Sequence, residues 1–313
     1  MKIVVSGALG HIGSKLIRSL GSTYSGSKII LIDNLLTQRY CSLFNLPTSA
    51  KYEFIEADIR KLDIRPLLEG ADVFIHLGAI TDAANSFEFA DLVEEVNLRA
   101  TERMAMACIE LGVPMIFPST TSVYGSQAAV VDENCGVDDL KPQSPYASSK
   151  LKAERLLTDL AAKQSLKFVC CRLGTIFGSS VGMRFHTAIN KFCWQATLGT
   201  PITVWKTAIN QNRPYLDLDD CIRAIQFISD KKIFDGEIYN IVTTNSSPGN
   251  IIEMIRRDIP NLKIEYVETK IMNQLSYHVK AEKIQAKGFK FTGDLGRGIG
   301  ETLALLKGVQ THG

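Results

Sequence analysis

Lys2-Ile3-Val4-Val5-Ser6-Gly7-Ala8-Leu9-Gly10-His11-Ile12-Gly13 decides how the rest of this 313-residue chain is read. A short apolar run ends in three glycines spaced three apart, and a helical pattern follows to about Leu20. Uninterrupted apolar runs of this length suit strands buried on both faces. Gly7 allows a tight turn, Gly10 lets backbone approach a phosphate, and Gly13 lets the helix lie close to its strand. A glycine-rich turn from strand to helix is a site for a dinucleotide pyrophosphate.

Further apolar runs follow at Lys28–Ile32, Tyr52–Ala57, Asp72–His76, Pro114–Phe117 and Lys167–Arg172. Helical patterns separate them, including a long one over Phe87–Leu111 and another over Tyr146–Gln164. This alternation predicts an α/β fold: a Rossmann-type doubly wound parallel sheet covered on both faces. Glu237–Ile241 is expected to rejoin it as the last strand, and a helix over Leu218–Ser229 to pack back on it. The nucleotide-binding domain is thus read as 1–176 plus about 213–241. A smaller mixed substrate lobe takes 177–212 plus 242–313. The glycine-rich Gly293–Gly300 segment reads as a turn before a final helix.

The second run ends at Asp33, twenty residues after Gly13. An acidic side chain there accepts from ribose hydroxyls and repels a 2′-phosphate, so NAD is favoured over NADP. Arg39, six residues on, could pair with a phosphate, but at that distance it reads first as a solvated loop cation. Asp58 ends the third run, as an adenine contact or as the cap of a helix over Ile59–Leu68.

Tyr146 and Lys150 lie four apart behind the helix-opening Ser144-Pro145, on one helix face. An ammonium charge favours phenolate, so the pair reads as a general base and its activator. Lys150 is also placed to donate to the nicotinamide ribose. Upstream, the hydroxyl cluster Ser119-Thr120-Thr121-Ser122 follows the fifth run and offers a partner for a substrate oxygen.

The remaining features narrow the class. The formal net charge of +2 gives no reason to expect nucleic acid or an anionic membrane as partner. No apolar stretch approaches the ~20 residues of a membrane span, and the N-terminus enters a strand directly, so a cytoplasmic location is expected. The seven cysteines form no C-x-x-C pair and the five histidines show no ligand spacing, so no metal is expected.

The ordered set Gly7–Gly13, Asp33-Asn34, Asp58-Ile59-Arg60, His76–Ala79, Asn97, Ser119–Gly125, Tyr146–Lys150, Arg172–Gly178 and Arg213–Asp220 resembles an extended short-chain dehydrogenase/reductase. The resemblance is to the nucleotide-sugar epimerase and dehydratase branch typified by UDP-galactose 4-epimerase, over nearly the whole chain. It implies Tyr146, Lys150 and Thr120 as catalytic residues. It implies an NAD site of Gly7, Gly10, His11, Ile12, Gly13, Asp33, Asn34, Asp58, Ile59, Leu77, Gly78, Ala79, Thr81, Asn97, Tyr146 and Lys150. A nucleotide-diphosphate sugar would meet Thr81, Thr120, Thr121, Tyr146, Thr175 and Arg213, the last through bidentate donation to the diphosphate.

The chain also departs from the pattern. Thr121 and Ser122 stand where dehydratases of this branch carry Asp-Glu, and Thr175 where many relatives carry Asn. Epimerisation at C4 is therefore the first expectation. A 4-ketoreductase or dehydratase is the second, and a non-catalytic NAD-binding regulatory protein a remote third. The resemblance also implies a homodimer built on the two long helices, with Met104, Met106, Leu111, Leu151, Leu156 and Leu160 on an apolar face. Pocket shape from Phe177–Asn212 and Thr243–His278, including Arg184, His186, Lys191 and Trp205, is left to choose the sugar.

Overall fold

The computed structural model describes residues 1–125, 129–268 and 276–308, so part of the Thr243–His278 stretch lies outside the described residues. In chain order the elements used below are β1 (Lys2–Ser6), α1 (His11–Thr23), β2 (Lys28–Asp33), β3 (Lys51–Glu56), β4 (Val73–His76), α2 (Ala100–Leu111), β5 (Met115–Thr120), α3 (Pro145–Gln164), β6 (Phe168–Leu173), α4 (Ala188–Thr197), α5 (Leu218–Asp230), β7 (Ile238–Ile241), α6 (Pro248–Asp258) and α7 (Leu295–Leu306).

The seven strands pair in the order β7-β6-β5-β4-β1-β2-β3, and every pairing is parallel. The order reverses between β1 and β4, which opens a crevice at the carboxyl ends of the strands. One face is covered by α1 and α5, through Leu16, Ile17, Leu20, Ile222, Ile225 and Ile228. The other is covered by α2 and α3, through Met104, Cys108, Ala153, Leu157 and Leu160. A separate apolar cluster joins α4, α6 and α7. Three small sheets accompany the large one: Thr175–Phe177 with Arg213–Asp217 and Thr244–Ser246, Ile202–Trp205 with Ile264–Val267, and Val130–Val131 with His278–Val279.

Three local expectations change. The helical pattern over Phe87–Leu111 is broken: a single 3₁₀ turn, a short helix over Ala90–Glu94, and a widened π segment over Glu95–Arg99 precede α2. The widened turn carries Asn97 inward. Its Oδ1 accepts from Ile80 N at 2.9 Å, and its Nδ2 donates to Ile80 O at 2.9 Å and Ser149 Oγ at 3.1 Å. α7 begins at Leu295, inside the expected turn, capped by Asp294 Oδ1 accepting from Arg297 N at 2.7 Å. Its glycine has a packing reason, because a Cβ on Gly298 would sit 2.6 Å from the Phe177 ring. Of the six apolar helix residues, Met104, Leu151 and Leu160 are buried, and Leu111 and Leu156 pack against the core. Met106 alone is exposed, at 42%. Covering the sheet accounts for most of that face.

A buried polar network binds α3 to the sheet. Glu154 accepts from Arg172 Nε at 3.1 Å and Arg172 Nη2 at 2.7 Å, with the two side chains 2% and 3% exposed. Arg172 Nη1 donates to Tyr124 Oη at 2.9 Å, and Tyr124 Oη donates to Asn240 Oδ1 at 2.9 Å. A second buried group ties β1, β4 and α2. Ser6 Oγ lies 2.7 Å from His76 Nδ1, and His76 Nε2 lies 3.1 Å from Thr101 Oγ1. Thr101 Oγ1 donates its proton to Asn97 O at 2.8 Å, so it accepts from Nε2–H and His76 is the Nε2 tautomer. Burial, reinforced by Lys150, lowers the His76 pKa to about 3.

Two predictions follow from this packing. Glu154→Ala strands the Arg172 charge in the core and lowers stability by about 3–5 kcal/mol in urea unfolding. Lys163→Ala, which breaks an exposed pair with Asp159, changes it by less than about 1 kcal/mol. Below pH 6.5 the unfolded chain binds a proton at His76 that the folded chain refuses until about pH 3. Stability therefore falls as pH falls through that window, by about 2 kcal/mol from this residue between pH 7.5 and 5. Comparing urea midpoints of wild type and His76→Asn at the two pH values isolates the contribution.

Candidate active site

A cleft of about 800 Å³ runs along the carboxyl ends of the strands and on between α4 and Arg213. At one end is the glycine turn. Gly7 has φ +68°, and a Cβ there would lie 2.7 Å from Gly78 N. A Cβ on Gly13 would overlap the Gly7 carbonyl oxygen. Gly10 precedes α1 in extended backbone with no side-chain cap, so the helix N-terminus meets the cleft bare, an electropositive end. Asp33 accepts from Leu9 N and from Leu35 N, each at 3.0 Å. These bonds hold its carboxylate at the end of β2 beside the glycine turn. Arg39, read as a phosphate partner or a loop cation, lines the cleft, its Nη1 4.0 Å from the position of a Gly10 Cβ.

His11 is 7% exposed; its Nδ1 lies 2.8 Å from Ser180 Oγ, and its buried Nε2 has no partner. Burial first, then the charges of Arg184 and Arg39, lower its pKa to about 3, so the ring is neutral. Asp58 caps no helix, since the nearest helical turn, Arg65–Leu68, starts seven residues later. Its carboxylate instead accepts from Arg60 Nη2 at 2.5 Å and Arg60 N at 2.9 Å. The hydrogen bond from the Arg60 side chain is the main reason its pKa is lowered.

At the middle of the cleft is Tyr146, in the first turn of α3. Ser144 Oγ caps that helix, accepting from Ala147 N at 3.1 Å. The Thr120 side chain stands beside the Tyr146 hydroxyl, where its polar oxygen opposes the rise of the Tyr146 pKa, and Thr120 Oγ1 accepts from Ser122 N at 3.1 Å. Burial raises the Tyr146 pKa, opposed by the Thr120 oxygen and by the charge of Arg184. Lys150 lines the same cleft one turn along α3. Its Nζ donates to Pro118 O at 2.8 Å and sits 4.5 Å from the Phe117 ring centroid. Burial lowers its own pKa to about 8. The charge of Arg184, from the segment between β6 and α4, also reaches Tyr146. Arg184 Nη1 donates to Thr81 Oγ1 at 2.5 Å, and its guanidinium contacts His186.

The cleft brings together every expected cofactor and substrate residue except two. Asn97 stands behind the wall, holding Ile80. Thr121 is buried with Oγ1 donating to Leu173 O at 3.3 Å. Thr175, Arg184, His186, Lys191 and Trp205 all line it. Arg213 lines it too, donating to Gln211 Oε1 at 2.8 Å, its guanidinium 5.7 Å from the Tyr277 ring centroid. Ser119 Oγ is buried in the same wall without a partner. Among the described residues no cluster of three or more metal-ligating side chains occurs, and no helix is long and apolar enough to cross a membrane.

Comparison with known proteins agrees with this geometry. The chain is 32% identical over 251 residues to an uncharacterized UDP-glucose epimerase of Bacillus subtilis, YtcB, covering 77% of this chain and 76% of that one. It is 28% identical to a trifunctional UDP-glucose 4,6-dehydratase/3,5-epimerase/reductase of Arabidopsis thaliana, covering 92% of this chain but 44% of the plant protein's length. The crystal structure of a UDP-glucuronic acid 4-epimerase from Bacillus cereus with UDP-glucuronic acid and NAD superposes with TM-score 0.88 at 26% identity. That match covers 98% of this chain and 99% of the other. The sequence profile of the NAD dependent epimerase/dehydratase family matches residues 3–242. The chain is a member of the NAD dependent epimerase/dehydratase family.

Proposed function

We propose that this protein is an NAD-dependent epimerase of nucleotide-diphosphate sugars, acting at C4 through a transient 4-keto sugar. The observation that carries the reading is one continuous cleft with a glycine cradle at one end and the Tyr146–Thr120 hydroxyl pair farther along it. The residues fit a dinucleotide: the cradle at Gly7 and Gly13 excludes any side chain, and the buried His11 Nε2 lacks a protein partner. Gly10, Ile12, Asn34, Ile59, Leu77 and Ala79 would complete its walls, with Asp33 on the ribose. Bound NAD would supply a hydride acceptor that is regenerated within each turnover, so no external reductant would be consumed.

The chain's own residues handle the proton. Tyr146 takes it from the C4 hydroxyl, with Thr120 holding the same oxygen. Arg184 favours the phenolate. Lys150, anchored on Pro118 O, presents its remaining donors to the nicotinamide ribose. The keto sugar then turns so that C4 would take the hydride back on its other face, and Tyr146 returns the proton to the C4 oxygen. Thr81, Thr175 and Arg213 bind the sugar and diphosphate. The 1–176 plus 213–241 part carries the cofactor and the remainder the sugar nucleotide. The protein is read as a cytoplasmic homodimer, with exposed Met106, Phe89 and Leu92 at the contact.

Likeness to the plant dehydratase-containing protein gives a second reading, 4,6-dehydration. The site disfavours it, because Thr121 and Ser122 hold the acid–base places and the Thr121 hydroxyl is spent on Leu173 O. Incubation with UDP-, GDP-, CDP- and dTDP-hexoses without added cofactor, followed by NMR, separates the two. A C4 epimer with no net redox change is expected. A 4-keto-6-deoxy product would overturn the reading in favour of dehydration. Tyr146→Phe should cut turnover by about 10²–10⁴-fold while leaving NAD bound, and unchanged turnover would remove Tyr146 from its role.

A further inference from the structure

The segment after Phe177 lies directly on the glycine turn. Ser180–Met183 forms a tight turn, with Met183 N donating to Ser180 O at 3.1 Å. A Cβ on Gly182 would meet Leu9 O at 2.5 Å and Gly10 O at 2.7 Å. Two backbones therefore touch where no side chain fits. Gly182 N donates to Ser14 Oγ at 2.9 Å, Ser14 Oγ donates to Ser180 Oγ at 3.2 Å, and Ser180 Oγ lies 2.8 Å from His11 Nδ1. Two residues on, Arg184 reaches the far wall and bonds Thr81. The segment thus crosses the cleft from the α1 N-terminus to the loop after β4.

The donor chain has a chemical consequence at its end. The one proton of Ser14 Oγ has two acceptors in reach, Ser180 Oγ at 3.2 Å and His11 O at 3.3 Å; when it goes to Ser180, Ser180 donates to Nδ1 and the single proton of a neutral His11 sits on Nε2. That nitrogen is buried and unpartnered at the start of α1, where backbone amides and the helix dipole already favour an anion.

We propose that Ser180–Gly182 is a clasp on the cofactor. It locks His11 in the tautomer whose Nε2–H donates to a phosphate oxygen of the dinucleotide, and it covers the glycine turn so that bound NAD leaves slowly. The proposal rests on the reading that NAD occupies this turn. It adds Ser180 and Gly182 as positioning residues and gives the His11 side chain a donor's role.

The test is NAD release. NAD-loaded protein is diluted into a large excess of thio-NAD, and the NAD retained is measured against time by chromatography. Gly182→Ala should speed release about tenfold or more, because the added methyl must lift the clasp. Ser180→Ala should speed it several-fold, the effect of one lost hydrogen bond. His11→Leu should do the same, whereas His11→Gln, which keeps a donor, should restore most of the retention. Wild-type release rates in both Ser180→Ala and Gly182→Ala, with unchanged melting curves, would overturn the clasp. If Gly182→Ala fails to fold, Ser180→Ala, which deletes one oxygen, still decides. Wild-type protein that binds no NAD in equilibrium dialysis would overturn the NAD reading and the clasp together. Binding with unchanged release overturns the clasp alone.

Discussion

The ion pair between Arg172 and Glu154 is the contact on which the arrangement of the cleft depends. It joins the carboxyl end of β6 to the middle of α3, and both side chains are almost fully buried. Two charges taken out of water cost more than their attraction returns unless every donor and acceptor is used. Here the fork of Arg172 gives two bonds to Glu154 and one to Tyr124. Tyr124 passes a bond on to Asn240 in β7, and Asn240 Nδ2 donates to Lys280 O at 2.9 Å. One network thus sets the angle of the Tyr146 helix against the sheet and ties the chain's later half to its first. Apolar packing alone would leave α3 free to slide; a bidentate pair does not.

The sheet was legible because its signal is strong. Seven short apolar runs alternating with helical patterns have few other solutions, and the seven strands of the parallel sheet correspond to them. The glycine turn was legible for a steric reason: only glycine fits at Gly7 and Gly13. Local interruptions were not legible. The π segment at Glu95–Arg99 has no composition that marks it; it exists because the Asn97 amide satisfies both backbone groups of Ile80. Gly298 looked like a turn residue because its reason, the Phe177 ring, is far away in sequence.

The chemistry around Tyr146 was half legible. Helix spacing placed Tyr146 and Lys150 on one face, and both line the cleft. Spacing could not show that the charge of Arg184 also reaches the phenol, because charge acts through space. Lys150 is drawn to Pro118 O and the Phe117 ring, while Arg184 comes from a segment of low motif content. The same holds for Arg39 and His186. Together Arg184, Arg39 and Lys150 make the cleft more positive than the nearly balanced net charge of the chain suggests.

The network that ends at Asn240 also bears on how the chain is made. Synthesis runs from the N-terminus, so α3, Arg172 and Tyr124 all emerge before β7 does. Until then β6 is the open edge of an unfinished parallel sheet, a template for pairing with another chain, and Tyr124 lacks its acceptor. Parallel sheets with distant partners close slowly and expose apolar surface while they wait. The interval between Leu173 and Ile238 is therefore when the nascent chain is most open to aggregation and most in need of a chaperone.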